Sequence, residues 1–206
     1  MNVAAPWVRS LGLVAYEPTW RAMQDFTRTR GADARDQLWL LEHPPVFTLG
    51  LAGRAAHILA PGDIPVVKID RGGQVTYHGP GQAVAYLLLD LHRYGIGVRE
   101  LVRRIESGVM QLLEGYGIAG ERRAGMPGVY VGDAKIAALG LRVSRGCTYH
   151  GLALNVDGDL SPFARIDPCG YPGLAVTRLA DHGVRDSISA VQQNLATALT
   201  RCLTAN

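Results

Sequence analysis

The apolar positions of this chain follow a helical spacing in three places. The strongest case covers residues 98–116, where apolar side chains recur every three or four positions: Val98, Leu101, Val102, Ile105, Val109, Leu112, Leu113 and Tyr116. This spacing places them on one helix face. A similar face covers residues 187–203, and a weaker one covers residues 19–30. The sequence therefore predicts three helices.

Short apolar runs between turn-forming residues predict seven strands, at 37–41, 46–49, 66–70, 82–91, 128–131, 135–143 and 149–156. Gly132-Asp133 predicts a hairpin turn between two of them. Hairpins mixed with helices, without strict βαβ alternation, favour an α+β fold with a mixed, largely antiparallel sheet flanked by helices. No internal repeat or long linker divides the chain, so a single domain over 1–206 is predicted. The loop-rich stretch 157–186 is long enough to suggest a functional loop.

Composition narrows the class of protein. The 206 residues are 48% hydrophobic and 19% charged, which is typical of a globular protein with a sizeable core. The net charge of +3 comes with scattered arginines and no basic stripe, so no nucleic-acid partner is expected. Two interpretations of the arginine groups stay open: a solvated surface, or a docking face for an acidic protein. The longest apolar run, 83–89, is too short to cross a membrane.

Three cysteines, an odd number with no CxxC pair, argue against a disulfide framework and a zinc site. A reducing compartment, and hence a cytoplasmic location, is expected. Cys202 lies on the apolar face of the last predicted helix and is interpreted as a core residue. Cys147 follows Arg145-Gly146 and is interpreted as an exposed turn thiol. Cys169 differs, because prolines restrict its loop and Gly170 leaves its surroundings open, so a catalytic role is weighed against a structural one.

A glycine-rich run, RGGQVTYHGPGQ at 71–82, joins two predicted strands. Its four glycines would let the backbone approach a small molecule closely. It lacks the GK[ST] ending and the following helix of a phosphate-binding loop. A plain glycine-rich turn is the alternative. Lys135 and His150 each begin a predicted buried strand.

Four segments in order resemble one enzyme family: RGGQVTYHGPGQ (71–82), GDAKIAALG (132–140), HGLALNV (150–156) and PCG (168–170). Together with the chain length, they resemble the bacterial octanoyltransferases of lipoate biosynthesis, which are octanoyl-[acyl-carrier-protein]:protein N-octanoyltransferases. The resemblance covers nearly the whole chain. It implies a fold like the catalytic domain of biotin and lipoate protein ligases.

The resemblance also implies the site residues. The family's nucleophile corresponds to Cys169 and its partner lysine to Lys135. The substrate-binding residues it implies are Arg71, Gly72, Gly73, Gln74, Val75, Thr76, Tyr77, His78, Ala138, Leu139, Gly140, Gly151, Leu152 and Ala153. His150 is an auxiliary candidate. For His78 and His150, proton shuttling, substrate positioning and a purely structural role all stay open.

The implied reaction moves an octanoyl group from the phosphopantetheine of octanoyl-acyl carrier protein to Cys169, and then to a lysine amine. The implied acceptors are lipoyl domains of 2-oxoacid dehydrogenase E2 subunits and the glycine cleavage H protein. No ATP, metal or other cofactor is expected, and no nucleic-acid or membrane partner. Three other functions stay open: an ATP-dependent lipoate or biotin ligase, a non-catalytic docking protein, and a thioesterase.

The role of Lys135 has two versions. A nearby ammonium lowers the pKa of a thiol by about 1 to 3, which favours the thiolate. For Lys135 to be a neutral base at rest, its own pKa would have to fall by about three. The electrostatic role is therefore expected in the resting enzyme. A role as base in the second step stays open.

Overall fold

Two sheets and the helices packed on them account for most of the fold. The computed structural model describes residues 3–167 and 173–205. The strands are β1 (Trp7–Leu13), β2 (Gln37–Glu42), β3 (Val46–Leu49), β4 (Val66–Lys68), β5 (Val75–His78), β6 (Gln82–Leu88), β7 (Glu121–Arg123), β8 (Met126–Val131), β9 (Ala134–Ser144) and β10 (Cys147–Asn155). The α-helices are α1 (Tyr16–Thr29), α2 (Leu91–Tyr94), α3 (Val98–Gly115) and α4 (Ile188–Thr204).

The larger sheet has seven strands in the order β1-β2-β6-β10-β9-β8-β7. Its neighbours are antiparallel except β1 and β2, which are parallel. The smaller sheet has the order β4-β3-β5, with β3 parallel to β4 and antiparallel to β5. The predicted α+β class, with a mixed and largely antiparallel sheet flanked by helices, is confirmed.

The larger sheet buries side chains on both faces. Helices α3 and α4 contribute Leu101, Ile105 and Leu199 to the main core beneath one face. On the other face, α1 contributes Met23 to a smaller cluster that includes Tyr86. Each fully buried leucine or isoleucine contributes about 1.5–3 kcal/mol. Within the described ranges, no helix combines the length and apolar character needed to cross a membrane.

The predicted elements agree with the structure except at a few positions. The apolar run 82–91 was expected to be one strand, but β6 ends at Leu88. Asp90 then caps α2, since its carboxylate accepts a hydrogen bond from the His92 N–H at 3.1 Å. Strands β1, β5 and β7 were not predicted. Strand β1 lies at a sheet edge and is largely exposed, and β5 is hidden in the glycine-rich run.

The interpretation of Cys147 as an exposed turn thiol is wrong. The turn consists of Arg145 and Gly146, which have φ of 51° and 78°, and Cys147 already belongs to β10. The Gly146 carbonyl accepts a hydrogen bond from the Leu91 N–H at 2.9 Å, which holds the turn against α2. Cys147 is therefore buried, and burial raises the pKa of its thiol. Cys202 is buried in α4, as expected.

Candidate active site

A pocket forms where β9 and β10 meet the glycine-rich segment, with a volume of about 480 Å³ including its open mouth. It is lined by Tyr16, Arg71, Gly73, Gln74, Val75, Thr76, His78, Tyr86, Ala138, Leu139, Gly140, His150, Gly151, Leu152 and Ala153. The fold thus brings together the three sequence segments that the resemblance implies as substrate-binding.

The lining differs from the predicted set in several residues. Gly72 and Tyr77 are not part of it, and the Tyr77 ring packs instead against Phe47, with the ring centroids 5.6 Å apart. Sequence reasoning missed Tyr16 and Tyr86, which reach the pocket from α1 and β6. Aromatic residues in an ordinary helix and strand carry no local signal of such a role. Burial raises the pKa of both phenols, so both remain protonated.

Close contact between backbones explains why the wall of the pocket is rich in glycine. The Gly72 N–H donates to the Leu141 carbonyl at 2.8 Å, which ties the glycine-rich segment to β9. A Cβ atom at Gly140 would lie 2.8 Å from the Gly72 carbonyl oxygen. Since ordinary contacts are longer, Gly140 has no room for a side chain at this crossing, and a Cβ atom at Gly72 would lie a tight 3.3 Å from the Leu141 carbonyl oxygen.

Arg71 places a positive charge in the pocket wall. Its guanidinium donates to the Thr48 carbonyl at 2.8 Å, the Thr48 hydroxyl at 3.0 Å and the Gly72 carbonyl at 3.0 Å. The side chain is buried, so these contacts hold it in one orientation. Arg71 thereby fixes the start of the glycine-rich segment against β3.

Two buried histidines next to the pocket are neutral at physiological pH. Burial lowers the pKa of His78 to about 3 and that of His43 to about 4. The His78 Nδ1–H donates to the Gln82 amide oxygen at 2.8 Å. That oxygen is the acceptor because the Gln82 amide nitrogen donates to Asn155 at 3.0 Å. His78 is therefore a neutral ring held in one tautomer. This fits a role in positioning better than a role as a charged group.

Asp70 is the centre of a second polar cluster. Its carboxylate accepts hydrogen bonds from Trp20 at 2.9 Å, His150 at 3.0 Å, Gln24 at 3.1 Å and the Tyr149 hydroxyl. Burial opposes the charged form, but these four donors hold the pKa of Asp70 well below its usual range. Asp70 is therefore ionised at neutral pH.

His150 receives its orientation from this cluster. Its Nε2–H donates to Asp70, which leaves Nδ1 as an acceptor, and Nδ1 has no hydrogen-bond partner among the described residues. Burial lowers the pKa of His150 below its ordinary value despite the nearby carboxylate. The residue has a φ of 62°, which is unusual outside glycine. His150 is thus a neutral, strained and oriented ring in the pocket wall.

Replacing Asp70 by asparagine is expected to lower the free energy of unfolding by about 1–3 kcal/mol at pH 7. The native carboxylate has a lowered pKa, so its contribution is present above about pH 4 and is lost as the pH falls through the native pKa. The difference in the free energy of unfolding between the native protein and Asp70→Asn should therefore be smaller at pH 3 than at pH 7. Urea unfolding at both pH values measures this difference.

The exposed pair of Asp25 and Arg28 offers a matched control on α1. Asp25→Asn should change stability by less than about 0.5 kcal/mol. Equal destabilisation by Asp70→Asn at both pH values would mean that the charge of Asp70 has no part in the effect.

Lys135 is buried in β9, as the sequence predicted. Its ammonium donates to the Pro127 carbonyl at 3.2 Å and lies 5.2 Å from the centroid of the Tyr130 ring. Its backbone N–H donates to the Ala175 carbonyl at 2.8 Å, and its carbonyl accepts from the Thr177 N–H at 3.0 Å. The chain that follows the predicted nucleophile by a few residues therefore runs along Lys135.

Cys169 itself lies outside the described residues. On its N-terminal side, the Asp167 N–H donates to the His57 carbonyl at 2.8 Å. On its C-terminal side, the Ala175 carbonyl accepts a hydrogen bond from the Lys135 backbone N–H. The dyad of Cys169 and Lys135 stays a prediction.

A bulge in β9 determines which way Lys135 faces. Across β8, Val129 pairs with Ala137 and Tyr130 pairs with Lys135, so Ile136 is an extra residue with no partner on that side. Ile136 and Ala137 both join the core beneath α3 and α4. Because side chains otherwise alternate along a strand, the extra residue moves Lys135 to the opposite face. That face carries the pocket-lining alanine and glycine of β9.

No group of three or more histidine, cysteine or acidic side chains able to hold a metal ion occurs within residues 3–167 and 173–205. The described pocket instead offers apolar side chains, neutral histidines, a buried guanidinium and backbone amides. Such a lining suits an acyl chain with a polar head group.

Known proteins of one enzyme family are similar to this chain in sequence and in fold. The lipoyl protein ligase A/B catalytic domain family matches residues 15–200. An octanoyltransferase of Thiobacillus denitrificans is 63% identical over 95% of this chain and 90% of that protein. Among solved structures, lipoate-protein ligase A bound with ATP has a TM-score of 0.79 at 16% identity, over 97% of this chain and 86% of that one.

A biotin protein ligase from Aquifex aeolicus, solved with biotin and ATP, is also similar. Its TM-score is 0.58 at 12% identity, over 96% of this chain and 70% of that one. At these identities the structural likeness concerns the fold alone. The predicted fold, like that of biotin and lipoate protein ligases, is confirmed.

Proposed function

The chain belongs to the lipoyl protein ligase A/B catalytic domain family and transfers octanoyl groups in lipoate biosynthesis, and we propose that it does so through a thioester on Cys169. Lys135 is the proposed partner of that thiol. The main support is that Lys135 and the small residues of the pocket share one face of β9. The enzyme class expected from the sequence is confirmed by the similarity to octanoyltransferases.

The first step moves the acyl group onto the enzyme. The Cys169 thiolate attacks the carbonyl carbon of the octanoyl thioester carried by phosphopantetheine on acyl carrier protein. A new C–S bond forms and the old one breaks. The departing pantetheine sulfur takes the proton of the Lys135 ammonium. The result is S-octanoyl enzyme, a free pantetheine thiol and a neutral Lys135.

The second step moves the group to the acceptor. The neutral amine of a lysine on a lipoyl domain attacks the thioester, a C–N bond forms, and the C–S bond to Cys169 breaks. Lys135 takes the proton that the amine loses. This restores the pair of thiolate and ammonium, so no proton is gained or lost over the cycle. We propose lipoyl domains of 2-oxoacid dehydrogenase E2 subunits and the glycine cleavage H protein as acceptors.

The proposed reaction uses no ATP and no metal. A thioester is already activated, and its conversion to an amide is downhill, so no adenylate is required. This distinguishes the proposal from the chemistry of a ligase of the same fold, one of which was solved with ATP.

We place the protein in the cytoplasm, where acyl carrier protein and thiols in reduced form coexist. We also propose that residues 1–206 form one catalytic domain.

A single experiment separates the candidate functions. The protein is mixed with octanoyl-acyl carrier protein and an apo lipoyl domain, without nucleotide and with a chelator, and intact masses are followed over time. We expect one octanoyl group on the enzyme first and on the lipoyl domain later. Free octanoate instead would indicate a thioesterase, a requirement for ATP would indicate a ligase, and no acyl transfer at all would indicate a docking protein.

Chain-length preference should depend on the buried part of the pocket. Ala153 lines it and is buried. Replacing it by leucine adds three carbons there, so the preference for octanoyl over hexanoyl donors should fall at least about tenfold, because each misfitted methylene costs roughly 1–3 kcal/mol. Competition between the two donors, read by mass, measures the ratio.

Ala138 offers a control in the same pocket. It pairs with Ala153 across the two strands but is partly exposed. Ala138→Leu should slow both donors to a similar extent, and melting temperatures identify any overpacked variant. If Ala153→Leu also slowed both donors equally, Ala153 would not lie at the end of the acyl chain.

A further inference from the structure

Glu106 is a buried carboxylate to which the proposed mechanism gives no role. It lies in α3 on the face that packs on the sheet, beside Ile105 and Val109, and only 6% of it is exposed. A carboxylate at such a position is unfavourable unless it is paired and hydrogen-bonded. The contacts of Glu106 therefore show how its charge is held in the core.

Both carboxylate oxygens of Glu106 have partners. Oε2 accepts a hydrogen bond from the Arg122 guanidinium at 3.0 Å, and Oε1 accepts one from the Gly128 N–H at 3.0 Å. The carbonyl of the same peptide, that of Pro127, accepts the hydrogen bond of the Lys135 ammonium at 3.2 Å. In a trans peptide the N–H and C=O point in opposite directions. The Pro127–Gly128 peptide is thus held between a carboxylate and an ammonium.

From Arg122 through Glu106 and the peptide to Lys135, charges and partial charges of opposite sign face each other. The Arg122 cation is followed by the Glu106 anion, which faces the positive end of the peptide dipole. The negative end of that dipole faces the Lys135 cation. A polarised peptide attracts the ammonium more strongly than an isolated carbonyl does.

The backbone at Gly128 leaves no room for a side chain. Its φ is 128°, and an added Cβ would lie 2.5 Å from the Ala137 carbonyl oxygen and 3.3 Å from Cε of Lys135. Only glycine lets this peptide lie so close to the backbone of β9 at Ala137. The peptide is therefore fixed against β9, and its carbonyl is a fixed acceptor for the Lys135 ammonium.

We propose that Glu106 is a positioning residue for acyl transfer: it holds the Pro127–Gly128 peptide so that the Pro127 carbonyl fixes the orientation of the Lys135 ammonium, on which the proposed activation of the thiol depends. This rests on the proposed role of Lys135. Glu106 touches no substrate and acts only through the peptide. Losing it would leave Lys135 in place but less well aimed.

Glu106→Gln tests the proposal, because it keeps the shape of the side chain and removes its charge. We expect kcat to fall about tenfold to a hundredfold with little change in KM, as for misplaced catalytic groups. The specific readout is the rate of Cys169 alkylation by iodoacetamide against pH, followed on the Cys169 peptide by mass. Its midpoint should move to higher pH. Glu106→Asp, which keeps the charge, should recover part of the shift.

A double-mutant cycle separates aiming from folding. If Glu106 acts through Lys135, Glu106→Gln shifts the midpoint in the native background and adds nothing in a Lys135→Met background. A loss of activity or melting temperature with no shift, or the same shift in both backgrounds, overturns the proposal. If Lys135→Met alone leaves the alkylation midpoint unchanged, the proposed role of Lys135 is wrong, and the inference about Glu106 is wrong with it. This outcome is distinguishable from the two above, in which Lys135→Met does move the midpoint.

Glu100 provides the matched control. It forms an ion pair with Arg104 at 3.2 Å on the same helix and is about half exposed. Glu100→Gln removes one charge and one arginine ion pair from α3, as Glu106→Gln does, but it should leave the alkylation midpoint unchanged. A similar upward shift in both variants would show that the effect does not depend on the Pro127–Gly128 peptide and would also overturn the proposal.

Discussion

Cys169→Ser is expected to reduce octanoyl transfer at least about a thousandfold, because the nucleophile is lost while the pocket remains. A serine hydroxyl is far less ionised than a thiol, and a neighbouring ammonium cannot lower its pKa enough to compensate. The acyl-enzyme should disappear from the intact-mass spectrum. The measurements are single-turnover transfer and the mass of the enzyme after mixing with donor alone.

The two other cysteines serve as controls. Cys147 and Cys202 are buried, and burial raises the pKa of both thiols, so neither is suited to attack a thioester. Serine at either position should leave the acyl adduct intact. Persistence of the adduct in Cys169→Ser would show that another group carries the octanoyl chain.

Lys135→Met is expected to reduce turnover about a hundredfold to a thousandfold by two separate effects. Without the ammonium, the pKa of the Cys169 thiol should rise towards its usual value near 8.5, so only a few per cent is thiolate at pH 7. The second step also loses its proton acceptor, which contributes about a hundredfold or more. The pH profile of alkylation measures the first effect, and aminolysis of preformed acyl-enzyme measures the second.

Lys68, the other lysine of the chain, provides the control. It is exposed on β4 in the smaller sheet. Lys68→Met should change neither the alkylation midpoint nor turnover. An increase in stability for Lys135→Met, alongside its loss of activity, would agree with the removal of a charge from a buried site. Turnover that stays near the native rate would exclude Lys135 from both steps.

Local patterns were sufficient for most of the fold. The helices α1, α3 and α4 follow from their apolar spacing, and the hairpin between β8 and β9 follows from Gly132-Asp133. The edge strand β1 was not predictable, because its exposed residues do not alternate clearly. Strand β5 was missed since pairing with β3 outweighs the glycines around it.

The site was predictable only where it consists of contiguous segments. The segment resemblance identified most of the pocket lining, but it could not supply the side chains that arrive from elsewhere in the chain. Tyr16 and Tyr86 enter through helix and strand packing, and Glu106 acts across a peptide bond. Their relation to the site depends on long-range contacts that no local pattern encodes.

The unpaired Ile136 has a consequence for transferring residue roles between distant members of this fold. An alignment written without a gap across β9 assumes constant register along the strand. If a relative lacks the extra residue, such an alignment would match Lys135 to a side chain that points under the helices, although the remainder of the strand matches well. At 12–16% identity to the solved ligases, sequence scores are too weak to reveal a slip of one position. Residues before and after Ile136 should therefore be superposed as separate blocks, anchored on the pairs Tyr130–Lys135 and Gly128–Ala138.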